Sequence, residues 1–289
     1  MDRTGDTAEL TAFFTKVLGG EWHLYSSHIL TGDSETGNQQ AKLDLLAELM
    51  HLRPGARVLD IGSGWGGSLT YLATRYGVTG VGISLVPQQC AYATQRAQKY
   101  GVPLEFRPSH WQDFHADEPF DAVMTTGVVV HFPSLLDYFV RAKQWLRPGG
   151  ILLNEEMHLL PAGVRNDPAA RASRALAALD EVRKQGREAG GRLVVDEEGA
   201  YVTLDQETEL LQQAGFEIEQ VVPLSMQDYQ KTVEGWVANC ERSQAELTAL
   251  AGRDVYRWYR LYFRLFRRLI DDRAMRLDVV TARLPHVRP

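Results

Sequence analysis

Val58-Leu59-Asp60-Ile61-Gly62-Ser63-Gly64-Trp65-Gly66-Gly67 is the stretch that decides the architecture. A short apolar run, interrupted by one acid, ends in a glycine cluster and passes into a segment with helical spacing. This is where a strand turns into a helix. Glycines at 62 and 64 let the backbone turn tightly and approach a ligand with no Cβ in the way.

Working outward, short apolar runs alternate with helix-like segments. The pattern predicts strands over 57–61, 79–84, 104–107, 122–125 and 151–155, with helices over 66–76, 88–100 and 134–146 between them. Such βα units feed a mostly parallel sheet. Ahead of them, 6–18 and 38–52 carry apolar residues at helical spacing and stop at Gly19-Gly20 and Pro54-Gly55, as a helical cap would. After Glu156 the alternation breaks. Residues 167–189 read as an Ala/Arg-rich helix between Pro168 and Gly190-Gly191, in an insertion lying beyond the carboxyl ends of the strands, where ligands bind in such sheets. The alternation then resumes with a helix over 204–214, a strand over 216–222, two long helices within 226–272 and a last strand over 277–284. The expected organisation is a cap over 1–55, a Rossmann-like core over 56–157, a helical lid over 158–203 and the rest of the fold over 204–289.

A chain of 289 residues with 24 % charged residues suits one substantial core with local elaborations. Its net charge of −6 gives no global attraction to a phosphate backbone, which argues against a nucleic-acid partner. Cys90 and Cys240 stand far apart and announce neither a disulfide framework nor a metal site. His23, His28 and His158 have no metal-ligand spacing either, so no metal is expected. The start of the chain carries no leader pattern, and no stretch approaches a membrane span. A cytoplasmic monomer or homodimer acting on a small molecule is the expectation.

Gly62, Gly64 and Gly67 alone would also fit a dinucleotide fingerprint, but two details argue otherwise. Asp60 precedes the first glycine by two residues, where a cationic methionine moiety benefits from a carboxylate. A dinucleotide site also expects Asp or Glu at the end of the second strand to hold the ribose, and that end reads Ile83-Ser84. The expected cofactor is S-adenosylmethionine (SAM).

The string from Val58 to Gly67, with Gly80-Val81-Gly82-Ile83-Ser84-Leu85-Val86-Pro87-Gln88-Gln89 after the next strand, resembles the cyclopropane-fatty-acid synthase family of methyltransferases, including the mycolic-acid modifying enzymes. The resemblance implies the class I SAM-dependent methyltransferase fold, α/β with a seven-stranded, mostly parallel sheet. It aligns the family's ribose and adenine segment with Ser84, Leu85 and Gln89. It places the adenine-side tryptophan at Trp111, with Gln112 counted beside it, and the Tyr-Ser that closes over the methionine part at Tyr25-Ser26. The C-terminal pattern is present from Asp228-Tyr229 through Trp236 to Val255-Tyr256.

The departures bear on chemistry. The family holds a bicarbonate base with a Cys, a Glu, a His and a Tyr, and those positions read Ser27, Val130, Glu155 and Tyr229 here. A carboxylate thus stands where the anion would be bound. The expectation is that Glu155 takes the proton or stabilises developing positive charge, with Tyr229 and His131 also catalytic. Strand alternation makes Glu156 the competing candidate, on the opposite face. Bland readings run beside these. Glu155 would then merely pair with an arginine, His131 would be a satisfied structural histidine, and Trp111 would be core. Arg257, Arg260, Arg264 and Arg267 lie on one side of a helix. Pairing or solvation of these arginines is the commoner explanation than a membrane surface.

The leading functional expectation is methyl transfer from SAM to a small apolar or aromatic metabolite, on carbon in preference to nitrogen or oxygen. The rivals are N- or O-methylation of a small molecule, cyclopropane synthesis on a lipid chain, and a SAM-binding cyclase or regulatory protein that transfers nothing.

Overall fold

The computed structural model describes residues 8–160, 201–271 and 275–286. Seven strands form one sheet: β1 (Arg57–Ile61), β2 (Thr79–Ser84), β3 (Leu104–Pro108), β4 (Phe120–Thr126), β5 (Leu146–Leu159), β6 (Glu217–Leu224) and β7 (Met275–Arg283), in spatial order β3-β2-β1-β4-β5-β7-β6. The pairs among β1 to β5 are parallel, whereas β7 runs antiparallel to both β5 and β6. β1 is buried from Val58 to Ile61, as a strand covered by helices on both faces must be. The chain leaves β1 toward β2 and β3 on one side and returns to β4 on the other. That reversal opens a crevice at the carboxyl ends of β1 and β4.

The helices are α1 (Ala8–Leu18), α2 (Glu35–Leu49), α3 (Gly67–Tyr76), α4 (Pro87–Tyr100), α5 (Leu135–Trp145), α6 (Leu204–Gln213), α7 (Met226–Arg242), α8 (Gln244–Ala251) and α9 (Arg253–Asp271). Serines fix three of their starts. Ser34, Ser134 and Ser225 accept the backbone N–H of Gly37, Asp137 and Asp228, satisfying donors that a first turn leaves open. Thr203 and Gln206 form a reciprocal capping box at α6. Phe13, Phe14, Val17 and Leu18 of α1 share one buried cluster with Trp236 of α7 and Tyr259 and Phe263 of α9. α1 and the C-terminal helices are therefore one layer lying over the carboxyl ends of the strands, whereas α2 packs with α3 and β1 in a separate cluster.

Three expectations are corrected. The region 226–271 holds three helices rather than two, because Ser243 interrupts the first and Gly252, at φ +86°, ends the second in a backbone region that favours glycine. β5 does not stop at Glu155 but runs on to Leu159, since β7 offers it a partner as far as Met275. α2 begins at Glu35, three residues before the expected start, where Ser34 provides the cap. The helix expected over 167–189 lies outside the described residues.

Candidate active site

One cleft opens where the topology reverses. Its first end is built on the glycine turn after β1. Gly62 adopts φ +77°, and a Cβ there would sit 2.5 Å from Val128 Cγ2. Gly64 adopts φ +51°, and a Cβ there would meet no side chain, pointing into open space along the cleft. Gly66 and Gly67 answer a packing need instead, since Cβ atoms on them would strike Ala93 and the Trp22 carbonyl.

Asp60 is 2 % exposed, lines this end, and has no hydrogen bond or ion pair among the described residues. Burial pushes its carboxyl up to about 7. An unpaired buried carboxylate of this kind calls for a cation. At the end of β2, the Ser84 hydroxyl donates to Gln89 Oε1 at 2.7 Å and accepts from the Val86 N–H at 3.2 Å. With its oxygen so engaged, the Gln89 amide keeps N–H donors for a ligand. Leu85 remains 46 % exposed while lining the cleft, a waiting apolar contact. Trp111 also lines it, backed by Phe132 at 5.2 Å and edge-on to Tyr138 at 5.7 Å. The donor set, the space at Gly64 and the lone carboxylate of Asp60 together fit SAM.

The other end is aromatic. Tyr25 packs against Trp236 at 5.4 Å, Tyr229 meets Phe266 edge-on at 5.7 Å, and Tyr262 stacks on Phe266 at 6.2 Å. All five rings line the cleft, as do Met157 and His131. Tyr262 and Phe266 also belong to the buried cluster shared by α1, α7 and α9, so they serve both packing and cleft. Ser26 also borders the cleft, its hydroxyl accepting from Lys42 Nζ at 2.7 Å. Gln112 does not join the site. It is exposed, and its backbone N–H bonds His110 Nδ1 at 3.2 Å.

The two neighbouring glutamates exchange the places expected of them. Glu155 is not on the cleft wall. It lies beneath α2, ion-paired with the fully buried Lys42, and accepts a hydrogen bond from Ser27 Oγ at 3.0 Å. Glu156 lines the cleft. The cause is the end of β4, whose last pairing joins Thr126 to Glu155. One residue further, the short turn Val129–His131 arches over β5, and the Val130 N–H donates to Glu156 Oε2 at 3.2 Å. The Met157 N–H donates to Oε1 at 2.9 Å. Burial nevertheless outweighs both amides and pushes the Glu156 carboxyl up to about 8. The Tyr229 hydroxyl is held protonated well above its usual range, by burial first and by the Glu155 charge next.

Lys42 was legible only as part of an amphipathic helix. Its signal is a lysine among Gln39, Leu43, Leu46 and Leu49 on the buried face. The arginines of α9 follow the commoner reading, with Arg260 and Arg264 paired to Glu241 and Arg267 to Glu234. Among the described residues no helix is long and apolar enough to cross a membrane.

Comparison with known proteins agrees with this arrangement. The sequence profile of the family described as "Mycolic acid cyclopropane synthetase" matches residues 9–279. The chain is 36 % identical over 142 residues to the cyclopropane-fatty-acyl-phospholipid synthase of Escherichia coli K12, covering 48 % of this chain and 36 % of that protein. It is 27 % identical over 240 residues to phosphoethanolamine N-methyltransferase 1 of Zea mays, covering 80 % and 46 %. The matches thus span less than half the length of these relatives. Among solved structures, mycolic acid cyclopropane synthase CmaA1 complexed with SAH and CTAB superposes with a TM-score of 0.82 at 22 % identity, covering 97 % of this chain and 96 % of that one. The fold is that of the class I SAM-dependent methyltransferases, and SAM is the cofactor of the family. With a profile matched along nearly its whole length, this chain belongs to the mycolic acid cyclopropane synthetase family.

Proposed function

We propose that this protein transfers a methyl group from SAM to an unsaturated carbon of a small apolar or aromatic acceptor, with Glu156 as the proton acceptor in place of Glu155. The observation that carries the reading is one continuous cleft joining a cofactor end to an aromatic chamber, with a single described glutamate on its wall.

When bound, SAM supplies an electrophilic methyl group. Asp60, as carboxylate, would face the cationic methionine part, Ser84 and Gln89 would offer polar contacts to the ribose, and Trp111 and Leu85 would flank the adenine. Tyr25 and Ser26 would cover the methionine side. The aromatic chamber holds the acceptor and excludes water, and its ring faces stabilise the positive charge that develops on the carbon next to the one methylated. The Glu156 carboxylate then takes the proton from the methylated carbon, whose C–H bonding pair restores the double bond to the cationic neighbour. A carboxyl held near pH 8 is matched to proton abstraction near neutrality. Tyr229, kept protonated, orients the acceptor as a hydrogen-bond donor.

Family membership favours a second reading, closure of a cyclopropane on a lipid chain. Incubation with SAM carrying a trideuterated methyl group separates the two. A methylated product keeps all the methyl deuterium and a cyclopropane loses one, as read by mass spectrometry against a panel of terpenoid, aromatic and unsaturated fatty-acyl acceptors. No transfer to any of them, with SAM bound, would favour the non-methylating rival.

A further inference from the structure

A second group of charged residues lies behind Glu156, away from the cofactor end. Asn154, Glu156 and His158 alternate onto one face of β5, and the antiparallel register sets Asp278 of β7 directly opposite Glu156. Glu207 of α6 reaches the residues on either side of Glu156. Its Oε1 accepts from Asn154 Nδ2 at 3.0 Å, and its Oε2 bonds His158 Nε2. His158 Nδ1 bonds Asp278 Oδ2 at 3.0 Å, and Arg276 Nε donates to the same carboxylate at 2.7 Å. Thr125 Oγ1 completes the network by donating to Asn154 Oδ1 at 2.8 Å. The side chains of His158, Glu207 and Asp278 are wholly buried.

Burying so many charges is expensive, and an apolar cluster would hold β5, β7 and α6 together as well. Pairing makes the network neutral as a unit. Asp278 is matched by Arg276, and Glu207 by His158. Burial alone would strip the His158 proton, but its bonds to Asp278 and Glu207 hold the ring charged up to about 9. Among the described residues, Glu156 is the carboxylate of this network with no cationic partner of its own. Glu207 opposes its ionisation and His158 favours it. Tyr229 of α7 faces it from the cleft side as a neutral phenol, and His131 follows the turn residue that bonds it.

We propose that His158 and Glu207 act as a charge pair that sets whether Glu156 carries a proton, and are therefore positioning residues for the cleft carboxylate. The pair holds Glu156 poised because its two charges act on that carboxylate in opposite senses. Removing the imidazolium alone leaves Glu207 facing Glu156 unbalanced, so Glu156 keeps its proton to higher pH. Removing both charges restores the balance. A purely structural network would behave otherwise, since the second substitution would add to the damage of the first. The inference concerns the proton on Glu156 and holds whether or not that residue is the base of the reaction.

The test follows the carbonyl stretch of protonated Glu156 by infrared spectroscopy during a pH titration of the free protein, with Glu156→Gln identifying the band by its loss. In His158→Gln the midpoint rises by about one pH unit or more, the size expected when an opposite charge is removed nearby. In His158→Gln/Glu207→Gln it returns to within a few tenths of a unit of the parent. The double variant, carrying an amide pair in place of the ion pair, also guards against a single variant that does not fold. A double-variant midpoint displaced from the parent by a full unit overturns the proposal even if the single variant is lost. An unshifted midpoint in a folded His158→Gln does the same.

Discussion

Lys42 Nζ and the Glu155 carboxylate meet beneath the floor of the cleft, their side chains 0 % and 2 % exposed. Lys42 also donates to Ser26 Oγ, so one ammonium ties the loop that borders the cleft to the fifth strand. Removing one partner of a buried pair strands the other charge and costs about 3–5 kcal/mol, whereas replacing both by apolar residues is far milder. Lys42→Met is expected to lose stability in that range in urea unfolding, and Lys42→Met/Glu155→Leu to regain most of it. A double variant no more stable than the single one would show that the pair contributes more than charge compensation.

The different places of the two glutamates, one on the cleft and one ion-paired beneath it, separate two kinds of damage. Glu156→Gln should leave SAM affinity and folding in place while turnover falls by a factor of roughly 10²–10⁴, the usual loss on removing a general base. Glu155→Gln should lower stability, with turnover per folded molecule within a few-fold of the parent. Parental turnover should rise with pH toward about 8 and be indifferent to added bicarbonate. The reverse pattern, with Glu155 controlling turnover, would return the base to the position that the family resemblance favoured.

At the cofactor end, Gly64→Val should abolish SAM binding in calorimetry, because the branched side chain would enter the cleft from a backbone at φ +51°. Trp111→Ala should weaken SAM binding by roughly 1–2 kcal/mol. It should also destabilise the fold by about 3–5 kcal/mol, since Trp111 is 4 % exposed and packs on Phe132 and Tyr138. Undiminished SAM affinity in a folded Trp111→Ala would make the residue core alone.

Three buried groups give stability a common dependence on pH. Asp60 and Glu156 hold their protons up to about 7 and about 8, whereas in the unfolded chain they titrate near 3.8 and 4.5. His158 keeps its proton up to about 9 against 6.5 unfolded. The cost of ionising the two carboxyls is absent below their unfolded values and fully imposed above their folded ones. The gain from His158 is complete below 6.5 and lost above 9. In each case the folded state binds more protons within the window, whereas burial lowers His23 and His28 to about 3 and makes them act in the opposite sense below 6.5, so stability falls as pH rises from about 6.5 to 9. A loss of even about 2 kcal/mol lowers Tm by roughly 4–8 °C. A Tm at pH 9 equal to that at pH 6.5 would contradict the assignment. SAM affinity should move the opposite way and strengthen from pH 6 to 8, as Asp60 sheds the proton that blocks a cation, and Asp60→Asn should abolish that trend.

The elements from β1 to β5 were legible because each is a short apolar run closed by a glycine or a helix cap, signals carried by residues adjacent in sequence. The glycine turn and Asp60 were legible for the same reason. The choice between Glu155 and Glu156 was not. Alternation says only that they face apart, and which face is open depends on where β4 stops and on a lysine 113 positions upstream reaching Glu155 beneath α2. The network of His158, Glu207 and Asp278 joins two strands and a helix across long sequence separations, and no local pattern marks it. Gln112 failed for a simpler reason. It neighbours Trp111 in a loop, and adjacent loop side chains need not share a direction.

β5 outruns its parallel neighbour, whose last pairing is at Glu155, and continues for four more residues along β7, with Thr203 bridging Leu159 at the far end. That overhang works as a ruler. Each residue added along a strand advances the chain by about 3.3 Å, and each pair of residues restores the same face. Inserting two residues before Glu156 would move its carboxylate roughly 6–7 Å along the chamber without turning it away. A one-residue change would swap it with its ion-paired neighbour and extinguish the site. Along this strand the place of the cleft carboxylate can therefore be shifted in even steps only.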